Sequence, residues 1–133
     1  MERRDNHFYP TYFLTIRSTD PPYDSPNMFK VGSIFIPVTD IEKSTAWYQK
    51  HLGAKKIESW EDGAGFYLPI GSTQLTLVKV ESPQSTEFII KDNQKNSYYN
   101  FVVDNIETPH QHFKNNGIAT TEINAFGVSI TND

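Results

Sequence analysis

The chain has 133 residues, a length that fits one domain, and carries 12 Lys and Arg against 16 Asp and Glu for a net charge of −4. It has no Cys, so disulfides, thiolate metal sites and Cys nucleophiles are excluded. No clustered basic run is present to hold nucleic acid, and no apolar run approaches the roughly 20 residues of a membrane-spanning helix.

Residues 1–27 differ from the rest, being rich in Arg, Asp, Pro and Tyr. They open on Met1-Glu2-Arg3-Arg4-Asp5-Asn6-His7, without the apolar segment of a signal peptide, so a cytoplasmic protein is expected. Asp20-Pro21-Pro22-Tyr23-Asp24-Ser25-Pro26 reads as a linker, and Tyr12-Phe13-Leu14-Thr15-Ile16-Arg17 as one short strand. The expected organisation is an extension over 1–27 and a compact domain over 28–133.

A first strand is predicted over 31–39, with Ile34, Ile36 and Val38 on one face and Ser33, Phe35 and Pro37 on the other. Thr39 or Asp40 can cap a helix whose apolar positions are Ile41, Thr45, Tyr48 and Leu52, and Gly53 ends it. Three strands follow, over 55–61, 65–70 and 73–80, with turns at Asp62-Gly63 and Gly71-Ser72. Residues 82–96 read as a long polar loop with Phe88-Ile89-Ile90 as a short apolar anchor. A further strand is predicted from Tyr98, then a helix from Ile106 to the stop at Asn115-Asn116-Gly117. Two last strands are predicted near 119–125 and 127–132.

These elements contain an internal repeat. Ile36-Pro37-Val38-Thr39-Asp40-Ile41-Glu42 recurs as Phe101-Val102-Val103-Asp104-Asn105-Ile106-Glu107, an offset of 65 residues. The pattern strand, helix and three strands, twice, resembles the vicinal oxygen chelate superfamily of glyoxalase, bleomycin-resistance and dioxygenase proteins. The likeness is carried by Ser33 to Tyr48, with its Trp47-Tyr48 pair, by His51-Leu52-Gly53-Ala54, and by Asn100 to Glu107. It implies an α+β fold of two βαβββ modules, over about 31–80 and 98–133, the second lacking its last strand downstream. Three readings of that strand compete, the third being that the edge stays bare. In the first the extension is the donor, since Leu14-Thr15-Ile16-Arg17 reads like Leu75-Thr76-Leu77-Val78, and in the second a partner subunit in a homodimer is.

Enzymes of this group hold one divalent metal with His, Glu or Gln on the inward faces of the first and fourth strands. The matching positions here are Ser33, its repeat mate Tyr98, and Thr76, with Gln74 two residues earlier. Neutral hydroxyls are poor ligands, so no metal site and no cofactor is expected. The four His residues read as solvated or capping, and His110 and His112 diverge on their helix.

The resemblance places Ser33, Phe35, Gln74, Thr76, Tyr98 and Asn100 in the cleft lining, with Trp60 as a further ligand-binding candidate. No nucleophile–base pair is evident, and no carboxylate is placed on the inward faces. The reading is a small-molecule-binding protein of glyoxalase/bleomycin-resistance type, homodimeric, without nucleic-acid or membrane partners. Two others stand beside it: a metal-dependent lyase, isomerase, dioxygenase or thiol transferase of the same superfamily, and a degenerate member acting through protein contacts alone.

Overall fold

The structure is a computed structural model, and it describes residues 14–15, 17 and 30–130. Leu14, Thr15 and Arg17 have no regular secondary structure. The rest of the strand expected over 12–17, and the end of the one expected over 127–132, lie outside the described residues. The chain divides into two compact units, residues 1–96 and 97–133.

In the first unit the order is β1 (Ser33–Val38), α1 (Ile41–Leu52), β2 (Lys55–Trp60), β3 (Gly63–Tyr67) and β4 (Gln74–Lys79). They form a sheet in the order β1-β4-β3-β2, in which β1 runs parallel to β4 and the other neighbours are antiparallel. Helix α1 starts where the chemistry demands. Asp40 is extended at φ −135°, and its Oδ1 accepts the Lys43 amide at 3.0 Å. Such a cap contributes about 1 kcal/mol. Gly53, at φ 70°, ends the helix, and the Ala54 amide returns to the Tyr48 carbonyl at 3.2 Å. A left-handed residue is cheapest as Gly.

Strand register sorts the side chains by face, because directly opposed residues point the same way. Ile34 pairs with Leu75 and Ile36 with Leu77. Leu75 in turn opposes Phe66, and Leu77 opposes Ala64. Ile36, Ala64, Phe66, Leu75 and Leu77 are all buried. Helix α1 packs over β4 and β3 on this face, with Ile41, Thr45, Tyr48 and Leu52 half-buried. Strands β3 and β4 are central and bonded along both edges, whereas β1 and β2 are bonded along one. The slowest-exchanging amides should therefore lie in β3 and β4. Hydrogen exchange that found β1 the best protected strand would contradict this order.

Two regions depart from expectation. Residues 82–96 are not a plain loop, since they hold β5 (Glu87–Lys91) and all but the last residue of β6 (Gln94–Ser97), a separate two-stranded sheet. The signal was present in the Ile89-Ile90 pair and in Asp92-Asn93, the turn, where Asp92 takes φ 50°. β-branched residues favour strands, and Asp tolerates the left-handed region.

In the second unit, α2 (Glu107–Asn115) forms as expected, but residues 98–103 join no ladder. Beyond α2 the described residues show only isolated bridges, Thr120 to Ile130 and Asn124 to Gly127. The physical reason is visible in the first unit, where, among the described residues, β1 is held by β4. A fourth strand for the second unit is not among the described residues, so residues 98–103 have no equivalent ladder to join.

The repeat survives at its helix starts. Asn105 Oδ1 accepts the Thr108 amide at 3.3 Å and the Glu107 amide at 2.8 Å. The pair Asn105 and Thr108 lies 65 residues beyond Asp40 and Lys43.

Candidate functional site on the first sheet

The sheet face away from α1 is laid out in three rows. Ser33 opposes Gln74, which opposes Tyr67, which opposes Lys55. Phe35 opposes Thr76, which opposes Gly65, which opposes Glu58. Pro37 opposes Val78, then Gly63, then Trp60. Five of the residues expected to bind a ligand, Ser33, Phe35, Trp60, Gln74 and Thr76, thus share one face of one sheet. Tyr98 and Asn100 belong to the other unit, where both are exposed and neither lies in a strand.

The burial of these groups is uneven. Thr76 is buried in the middle row, while Phe35 is 65% exposed beside it. Trp60 and Tyr67 are each 47% exposed. Gly63 and Gly65 leave the centre of the face without side chains, and their neighbours use the space. A Cβ on Gly63 would meet Trp60 Cζ2 at 2.5 Å, so the indole lies over this glycine. The Glu58 chain runs beside Gly65, with Cγ 3.9 Å from where a Cβ would be.

Glu58 was missed from sequence, where no carboxylate was placed on this face. Strict alternation along β2 groups Lys56 with Glu58 and Trp60. The ladder shifts between Lys56 and Glu58, so the bulge sets Lys56 with Ser59 on the helix side and Lys55, Glu58 and Trp60 on the far side. Lys55 and Glu58 thus place charge along the β2 edge of a face whose other positions are neutral. A separate groove of about 390 Å³ lies on the helix side, lined by Thr45, Gln49, Lys56 and Ser59 among others; of the expected ligand residues it touches Trp60 alone.

The donor set can be compared with what a divalent metal needs. Ser33 and Thr76 offer neutral oxygens one row apart, and the other residues of those rows are Gln74, Tyr67 and Lys55, and Phe35, Gly65 and Glu58, with Glu58 the single carboxylate. Among the described residues no three His, Asp or Glu side chains gather as a metal-holding group. The residues at these positions therefore do not fit the family's metal.

The described histidines have local contacts. His110 Nε2 donates to the Thr121 carbonyl at 3.1 Å, tying α2 to the segment after it rather than lying solvated. His112 stacks edge-on against Phe113, and His51 lies 5.1 Å from Trp47.

The first unit is a parallel outer strand on an antiparallel meander under one helix, and the start of its helix recurs 65 residues further on. The family model of the Glyoxalase/Bleomycin resistance protein/Dioxygenase superfamily matches residues 30–125, and the chain belongs to that superfamily. Among solved structures it is similar to a member of the same superfamily from Sphaerobacter thermophilus DSM 20745, at TM-score 0.57 and 18% identity over 79% of this chain and 90% of that one. It is also similar to SMU.1112c, at TM-score 0.51 and 19% identity over 74% of this chain and 82% of that one. The oxidase ChaP-H2 shares the fold at TM-score 0.50 and 10% identity, over 75% of this chain and 71% of that one. Comparison with curated proteins gives no match. These likenesses establish the α+β fold. Among the described residues no helix is long and apolar enough to cross a membrane.

Proposed function

We propose that this protein is a cytoplasmic, homodimeric small-molecule-binding member of the superfamily that works without a metal. One observation carries the reading: the far face sets Phe35 against Thr76 and Ser33 against Gln74, with Tyr67 and Trp60 on the same face. Aromatic surface beside neutral hydrogen-bonding groups suits an organic ligand, which needs apolar contact and a few oriented polar partners. Serine and threonine at the first-strand and fourth-strand positions supply no charge for a metal, which sets this chain apart from the metal-dependent enzymes that the sequence resemblance implies.

Thermal shift against a panel of aromatic and peptide-like compounds, with metal analysis of the same preparation, tests this. A ligand at a hundredfold over its Kd adds about 2.7 kcal/mol of stability. Phe35→Ala should weaken that ligand roughly tenfold, as expected for losing an exposed aromatic contact, and leave unliganded stability almost unchanged. Stoichiometric divalent metal would sink the metal-free reading. A panel without any stabilising compound would favour a face closed to ligands.

A further inference from the structure

Strand β5 carries a charge pattern complementary to itself. It reads Glu87-Phe88-Ile89-Ile90-Lys91, with one charge of each sign at its ends and three apolar residues between. All five residues are exposed, Ile89 by 67%. The strand pairs with β6 in a two-stranded sheet, and a hairpin of that size is marginal by itself in water. Natural edge strands that stay single are blunted by a central charge, a proline or a bulge. β5 has none of these between its terminal charges.

We propose that two copies of this chain associate by antiparallel pairing of β5 with itself, centred on Ile89. The inference rests on the homodimeric reading above and names its interface. In this register Glu87 of each copy opposes Lys91 of the other, Phe88 opposes Ile90, and Ile89 opposes Ile89 across the two-fold axis. One face of the joined strands then carries both ion pairs and the Ile89 contact, and the other carries both Phe88–Ile90 contacts. Parallel pairing would set Glu87 near Glu87 and Lys91 near Lys91. A slip of two residues would set Ile89 opposite Lys91 in one direction or opposite Glu87 in the other and break both ion pairs, and a slip of one would turn side chains to the wrong faces. The pattern thus selects an isologous, closed pair rather than an open chain of strands. Five residues a side is a small contact, so association should depend visibly on concentration.

Sedimentation velocity of the full chain from micromolar to millimolar concentration reads this directly. The chain should dimerise reversibly. Glu87→Lys or Lys91→Glu alone turns both attractive pairs into repulsive ones and should raise the dimer Kd roughly tenfold. The double exchange Glu87→Lys with Lys91→Glu should restore it. A mixture of the two single variants should form a heterodimer in preference to either homodimer, because both crossed pairs are then attractive. A dimer whose Kd ignores all three variants would overturn the β5 pairing and leave the homodimer standing. A monomer at every concentration would overturn both.

Discussion

Phe66→Ala should cost this chain about 3–5 kcal/mol of folding stability, the range for removing a fully buried aromatic ring. Phe66 has no exposed surface in the folded chain. It stands between Leu75 of β4 and Lys56 of β2, on the face covered by α1. Its neighbours sit on a four-stranded hydrogen-bonded frame and cannot collapse into the space it leaves. Domains hold together by about 5–15 kcal/mol, so the variant should be close to unfolding at body temperature. Urea denaturation should show a much lower midpoint with an unchanged slope. Ile70→Ala is the control, since Ile70 is 86% exposed and its loss should change stability by no more than about 0.5 kcal/mol. Equal effects from the two variants would show that the core does not lie beneath α1.

Gly63→Ala comes next, at about 1–3 kcal/mol, from overpacking rather than from a cavity. The added Cβ would lie 2.5 Å from Trp60 Cζ2 and 2.7 Å from the Leu77 carbonyl oxygen. The indole is half-exposed at the end of β2 and can swing aside. The carbonyl belongs to a central strand and cannot move without disturbing the ladder. The penalty should therefore survive removal of the ring. Gly63→Ala measured in a Trp60→Ala background should still cost stability, and the difference between the two backgrounds measures the indole's share. In the Trp60 background the substitution should also shift tryptophan emission, with Trp47 replaced by Phe to isolate the signal. Full rescue by Trp60→Ala would place the whole clash on the ring and show the Leu77 carbonyl to be free to give way.

The parts of this molecule that were legible in the sequence are those fixed by local chemistry. Helix α1 was bounded by its own caps, Asp40 and Gly53, and by apolar positions at helical spacing. The faces of β1 and β4 followed from alternation, and their register sets Ser33 with Gln74 and Phe35 with Thr76. Strand β2 could not be sorted that way, because a bulge is a property of two paired strands and leaves no mark on one. The bulge hides the side taken by Lys55 and Lys56, whereas Glu58 lies two residues before Trp60 and follows from alternation with it. The β5–β6 hairpin was obscured by its polar neighbours, although its turn chemistry was there to be read. The segment over 98–103 repeats the β1 pattern closely, yet strand formation depends on a partner, and pattern alone supplies none. Tyr98 and Asn100, named by offset from that pattern, accordingly have no sheet position to be read from.

The parallel junction between β1 and β4 bears on how long a folded molecule lasts. Ser33 meets Gln74 only after α1, β2 and β3 have been gathered between them. Contacts so distant in sequence carry the largest loop-closure cost and form late. The strands β2, β3 and β4 are sequential neighbours, so β1 is the piece whose contacts complete the sheet last. Phe35 and Thr76 sit on opposite sides of that junction. A molecule gripping both would clasp the seam with the longest loop closure, so its occupancy would lengthen the lifetime of the native chain as well as fill its face.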